Sequence, residues 1–267
     1  MKGLAISNIG WTKEQDDRMY GAMREAGFAG LEVAPTRIVP KDPYLHPEES
    51  LSWKRKLQDR WGFALPSMQS IWFGRQELLF SSKEEREALL AYTQKAIDYA
   101  AAMDCRNLVF GCPKNRNIPD GMEEAEWKEI ACEFFGAAGR YAAEHGRVIG
   151  LEANPPMYHT NFLNETSQAF AFAEALGTPG IGVNLDLGTM IANKESAQEL
   201  RGRVSLISHV HISEPGLEQV QERTLHRKVL HLLQEEGYQG YLSIEMKTTD
   251  PERLEQAMAC LTREASG

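Results

Sequence analysis

Four short apolar runs, each carrying near its carboxyl end a side chain that binds protons or metals, constrain this chain more than any other feature. They are Ile149-Gly150-Leu151-Glu152, Gly182-Val183-Asn184-Leu185-Asp186, Ser208-His209-Val210-His211-Ile212-Ser213 and Leu242-Ser243-Ile244-Glu245. The steps from Glu152 to Asp186 to His211 to Glu245 are 34, 25 and 34 residues. Each is about one strand plus a crossover helix, the spacing of parallel strands that alternate with helices. Side chains alternate across a strand, so His209, His211 and Ser213 share one face and Val210 and Ile212 the other. The same parity groups Gly150, Glu152 and Asn154, then Asn184 with Asp186, then Ser243, Glu245 and Lys247. Three carboxylates and one imidazole on consecutive strand ends can hold a single divalent cation.

The rest of the chain keeps this rhythm. Strand-like runs occur at Leu4–Ile6, Gly30–Ala34, about Ala64–Ser70 and Asn107–Phe110, ahead of the four already named. Helical spacing follows Thr12, runs from about Glu48 to Trp61, from a capping box at Ser82 to about Met103, and over Glu124–His145. Further helices are predicted near 166–176, 195–201 and 221–236, and a last one opens at Asp250-Pro251. Eight strands alternating with eight helices close naturally into an α/β fold of the (β/α)8 TIM-barrel type, spanning residues 1–267 as one domain. A doubly wound open sheet is the structural alternative, weakened because no glycine-rich fingerprint follows the first strand.

Composition narrows the partners. A net charge of −9, with no block of lysine or arginine, argues against nucleic acid or an anionic membrane. The 4 cysteines include no C-x-x-C pair, which fits reduced thiols. The first residues enter strand-like sequence without a signal peptide's apolar segment, and no run approaches about 18 apolar residues, so a cytoplasmic protein is expected.

Barrel enzymes carry their chemistry on the loops after the strands, where Glu152, Asp186, His211 and Glu245 all fall. Oxygen-rich ligation with one nitrogen favours Mn2+, then Mg2+ or Co2+, with Zn2+ also open. Such an ion can clasp the carbonyl and neighbouring hydroxyl of a sugar and stabilise the enediolate formed when the intervening proton leaves. Around that centre, Glu32, Trp72, Asn154, His159, His209, Arg116 and Lys247 are the candidate substrate contacts. Trp72 would form an apolar wall, Arg116 would grip a phosphate or carboxylate, and Lys247 would hold an oxyanion.

Leu151-Glu152, Asp186, His209-Val210-His211 and Ile244-Glu245-Met246-Lys247, with Gly27-Phe28-Ala29-Gly30-Leu31-Glu32, resemble the strands of the xylose isomerase-like barrel family of sugar and sugar-phosphate isomerases and epimerases. The resemblance implies that Glu152, Asp186, His211 and Glu245 are metal ligands. It also implies that Glu152 and Glu245 transfer the proton from opposite faces of a sugar, sugar phosphate or related polyhydroxy carbonyl compound. The chain departs from ketose 3-epimerases at Tyr158, where they carry a second glutamate, at Thr189, where a histidine is frequent, and at Glu214-Pro215-Gly216-Leu217 after the seventh strand. The alternative within the same chemistry is a metal-dependent lyase or dehydratase on a keto-sugar or keto-inositol, in which the enediolate expels a β-hydroxyl. A DNA-repair endonuclease of the same barrel would need further histidines where Gln69, Phe110 and Thr189 stand. A barrel that binds a carbohydrate without turnover is the non-enzymatic reading. Barrels of this kind often pair, so a homo-oligomer is a further expectation.

Overall fold

The computed structural model describes residues 1–266. Eight parallel strands form its centre: β1 (Gly3–Ser7), β2 (Gly30–Glu32), β3 (Ser67–Met68), β4 (Asn107–Phe110), β5 (Val148–Glu152), β6 (Ile181–Asp186), β7 (Ile207–Ser213) and β8 (Tyr241–Glu245). They pair in the order β2-β1-β8-β7-β6-β5-β4-β3. The outer two are joined only by isolated bridges, Gly30 with Ala64 and Val33 with Met68, so the sheet is a nearly closed TIM barrel. Its loose seam has a covalent cause: Pro66 has no N–H to give a ladder, which cuts the expected third strand from about seven residues to two.

The helices are α1 (Asp16–Glu25), α2 (Pro35–Ile38), α3 (Pro47–Trp61), α4 (Lys83–Ala102), α5 (Glu124–Glu144), α6 (Thr166–Leu176), α7 (Leu187–Asn193), α8 (Thr224–Glu235) and α9 (Pro251–Ser266). Ser82 caps α4 by accepting the Glu85 N–H, as the capping box predicts. The helix expected near 195–201 is a single 3-10 turn, Ala197–Leu200. The true crossover helix, α7, begins immediately after β6, because Asp186 is both the last strand residue and the helix cap. None of the helices among the described residues is long and apolar enough to cross a membrane.

Aliphatic side chains on the outward parity, such as Leu151, Leu185, Val210, Ile212 and Ile244, are buried against the helices. The inward parity is different. TIM-barrel lumens are usually filled by branched aliphatic side chains, but this one holds Ser7, Glu32, Ser67, Asn107, Asn184, His209, His211 and Ser243, all essentially inaccessible. Glycine makes the room: a Cβ on Gly150 would stand 2.8 Å from both Asn107 Oδ1 and Ser208 Oγ. A register shift between Val183 and Asn184 gives β7 one extra residue. Ser208 sits at that bulge and donates its hydroxyl to Val183 O at 3.2 Å. Beyond it, His209 stands beside Asn184 and His211 beside Asp186.

Candidate metal and proton-transfer site

His211 is the hub. Its Nδ1 lies 3.0 Å from Glu152 Oε2 and 3.2 Å from Glu245 Oε2. Nitrogen or oxygen donors of Asp186, His211 and Glu245 all fall within 4.8 Å of one another. Four residues that are up to 93 positions apart thus meet because β5, β6, β7 and β8 are sequential neighbours in the barrel.

Beneath the hub, Glu32 from β2 crosses the lumen. Its Oε1 is 2.9 Å from His211 Nε2 and its Oε2 3.1 Å from His209 Nε2. Burial pushes the Glu32 pKa up, but the two imidazoles outweigh it and hold the group below the ordinary carboxylate range. An ionised carboxylate only accepts, so both imidazoles donate Nε2–H to it. The Nδ1 of His211 is therefore the ring nitrogen left to face a metal, the familiar arrangement of a carboxylate orienting a ligating histidine.

The remaining acids are fixed with similar care. Asp186 Oδ2 accepts from Thr189 N at 2.7 Å and Thr189 Oγ1 at 2.8 Å, and its Oδ1 accepts from Ser213 Oγ. Glu152 Oε1 accepts from Asn154 Nδ2 at 2.9 Å and Oε2 from Asn184 Nδ2 at 2.7 Å. Gly111 leaves space for this carboxylate, since a Cβ there would come within 2.9 Å of Glu152 Oε1. Among the described residues no amide donates to the Glu245 carboxylate; burial, opposed by His211 and reinforced by Glu152 and Asp186, raises its pKa to about 7. Burial and then Glu152 raise that of Asp186 as well. Burial lowers the basicity of His211, but Glu245, Glu32 and Glu152 more than reverse this and raise its pKa well above the usual value.

Such a crowd of acids fits a divalent cation. Ligands at bond lengths of about 2.1 Å, or about 2.4 Å for a larger ion, can be separated by at most about 4.2 to 4.8 Å, and the donor atoms of Asp186, His211 and Glu245 fall within the upper limit. One imidazole and three carboxylates suit Mn2+, Mg2+ or Co2+.

The residues expected to touch substrate divide sharply. Asn154 lies at the centre, on Glu152. Glu32 and His209 are fully buried beneath the hub, so they orient His211 rather than contact a bound sugar. Trp72 is a correction too: it is 1% exposed, its Nε1 donates to Thr93 Oγ1, and its ring packs edge-on against Phe110 and Phe134 in the core. Arg116 is completely enclosed and donates to Glu152 O and Asn154 Oδ1, so it cannot grip a substrate phosphate. Lys247 is exposed and paired with Glu218, turned to the rim. His159 is exposed in a left-handed turn, and its carbonyl, rather than its ring, is engaged, accepting from Asn117 Nδ2.

Tyr158, Asn184, Thr189, Ser213 and Gly111 were not among the expected site residues. Asn184 had a signal, sharing a strand face with Asp186. Tyr158 had none: its hydroxyl accepts from Gly216 N at 2.9 Å, tying the loop after β5 to the loop after β7 above the acids. A cavity of about 930 Å3 opens at the other end of the barrel among Lys2, Lys54, Arg106 and Arg147. Volume is a weaker guide than convergent donor groups at the strand carboxyl ends.

Comparison with known proteins agrees with this architecture. A family model described as a xylose isomerase-like TIM barrel matches residues 21–264. No curated protein matches the sequence. Among solved structures, a 3-keto-D-glucoside 4-epimerase from E. coli superposes with a TM-score of 0.78 at 18% identity, covering 98% of this chain and 99% of that one. A D-psicose 3-epimerase gives a TM-score of 0.80 at 17% identity, with coverages of 99% and 100%. An L-ribulose 3-epimerase gives 0.74 at 17%, with coverages of 100% and 92%.

Proposed function

Because the chain belongs to the xylose isomerase-like TIM-barrel family, we propose that it is a divalent-metal-dependent isomerase or epimerase of a small polyhydroxy carbonyl compound. The observation that carries this reading is the convergence of Glu152, Asp186 and Glu245 on the free nitrogen of His211. The similar folds of the keto-glucoside, psicose and ribulose epimerases support it.

In this reading Glu152, Asp186, His211 and Glu245 hold the ion. When bound, it supplies Lewis-acid polarisation of a substrate carbonyl, acidifying the adjacent C–H. Glu152 and Glu245 move the proton: one removes it from carbon and the other returns it, from the opposite face for an epimerase. Tyr158 and its loop limit water above the two carboxylates.

The substrate is proposed to be an uncharged sugar. Three basic groups on the mouth loops are already engaged: Arg75 with Glu77, Lys247 with Glu218, and Arg116 within the wall. Incubation of the Mn2+-loaded protein with neutral ketoses and keto-glycosides in heavy water tests this directly. Deuterium entering recovered sugar at carbon next to the carbonyl is the expected result. Water loss from the sugar without back-exchange would instead indicate the lyase, and no exchange with any polyhydroxy carbonyl compound would refute the proposal.

A further inference from the structure

Arg116 is a guanidinium with no exposure, and among the described residues it forms no ion pair. An enclosed charge without a counter-ion is costly, and it persists only where its hydrogen bonds do something specific. The loop after β4 is built to deliver it. Cys112 takes a left-handed conformation, and Asn115 Nδ2 is anchored on the carbonyls of Arg75 at 3.2 Å and Glu77 at 2.9 Å. Arg116 then turns inward over the Phe110 ring.

Its two contacts both concern Glu152. Nη1 donates to Glu152 O at 2.9 Å, fixing the end of β5, and Nη2 donates to Asn154 Oδ1 at 3.0 Å. The orientation of an asparagine amide is usually ambiguous because its oxygen and nitrogen are alike in shape. Here it is not. Guanidinium has donors only, so the Asn154 atom facing it must be oxygen. The amide nitrogen is then forced toward Glu152 Oε1 at 2.9 Å and Ala153 O at 3.0 Å. Were the amide reversed, a carbonyl would face the carboxylate and two acceptors would collide.

We infer that Arg116 is a positioning residue for proton transfer: by locking the Asn154 amide, it guarantees Glu152 an N–H donor and fixes the direction in which that carboxylate points. This rests on the reading of Glu152 as a metal ligand and proton carrier. It makes the two glutamates unequal, since Glu152 receives an amide donor on each oxygen whereas Glu245, among the described residues, leans on His211.

Two variants separate positioning from mere structural support. In Arg116→Met, shape is kept and both donors are lost; Mn2+ affinity measured by calorimetry should fall about 10- to 100-fold, with a comparable loss in kcat. In Asn154→Asp, Arg116 gains a carboxylate partner, so the melting temperature should be kept or raised. Glu152, however, loses its donor and faces a like charge, and kcat should fall at least tenfold while KM changes less than threefold. Asn154→Asp with unchanged kcat, or Arg116→Met that binds Mn2+ as tightly as the parent, would overturn the inference. Should Arg116→Met fail to fold, the Asn154→Asp split between stability and kcat decides. A parent protein that exchanges no sugar proton would remove the proposed function and the proton-transfer part of this role, whereas a loss of Mn2+ affinity in Arg116→Met would still show that Arg116 positions Glu152 as a ligand.

Discussion

The two ends of this barrel solve the same geometric problem in different ways. At the foot, where helices turn back into strands, left-handed backbone is supplied mostly by glycine: Gly27, Gly62, Gly146, Gly180, Gly202 and Gly237. At the mouth, Asp42, Ser70, Cys112, His159, Leu163 and Leu217 adopt positive φ with side chains attached. Each such residue costs on the order of 1 kcal/mol relative to a relaxed turn. The foot is thus relaxed and the mouth is held under strain by its neighbours. Asn117 and Asn161 show how: Asn161 Nδ2 and Oδ1 engage Ile118 O and N, while Asn117 Nδ2 and Oδ1 engage His159 O and Asn161 N. Charge divides the same way, with basic side chains around the foot cavity and acids converging at the mouth. Strain and unbalanced charge concentrate where chemistry is proposed, and stability is left to the other end.

The sharpest way to break this contrast is Glu245→Gln. It should lower solvent exchange into substrate by about 10^2- to 10^4-fold, with a melting temperature near that of the parent; exchange at the parent rate would remove the two-glutamate mechanism. Glu32→Gln, one level down, should weaken Mn2+ binding by about 10- to 100-fold without altering the substrate range, read by calorimetry and a substrate panel. An altered range with intact metal affinity would return Glu32 to the substrate contacts.

Titration extends the contrast to the metal-free protein. The raised pKa values of Glu245, from 4.5 to about 7, and of His211 mean that the folded state binds more protons than the unfolded one across this window. Stability is then fully present below about pH 4.5 as far as Glu245 is concerned, and that contribution is lost as pH rises through 7. Mn2+ affinity runs the other way, because the ion must displace those protons. Melting curves at several pH values, with and without Mn2+, should show the metal-induced increment growing from pH 6 to pH 8; a constant increment would contradict the assignment.

Smaller effects probe the foot and the rim. A Cβ on Gly237 meets nothing within 4 Å, so Gly237→Ala isolates the cost of its φ of +74°. It should lower stability by about 1 to 2 kcal/mol and leave turnover alone, as denaturant melts and activity assays can establish. Lys247→Ala removes only an exposed pair with Glu218 and should change stability by less than about 1 kcal/mol, with kcat within twofold; a large loss of kcat would restore its role at an oxyanion.

Much of this was legible from the sequence where the information was local. Strand parity assigned Glu152, Asp186, His211 and Glu245 to one side of their strands, and the spacing between them foretold neighbouring strands. Glu32 was noticed without its partners, since His209 and His211 lie 177 and 179 residues away, across a lumen that no local pattern describes. Arg116 and Trp72 have the composition of an exposed loop and an aromatic wall. Only the path of the loops after β3 and β4 buries them. The helix α7 was missed because Gly188, a poor helix former, sits in its first turn, where contact with Ser213 and Glu214 leaves no room for a Cβ.

The bulge at Ser208 has one more consequence. A strand shows its residues to alternate sides, so the count of residues before His209 decides which way both imidazoles look. Deleting Ser208 would leave every ligand in the sequence and point His211, with its supporting neighbour His209, at the surrounding helices. The number of residues at that point, before the chemistry of any one of them, is therefore what the whole centre depends on.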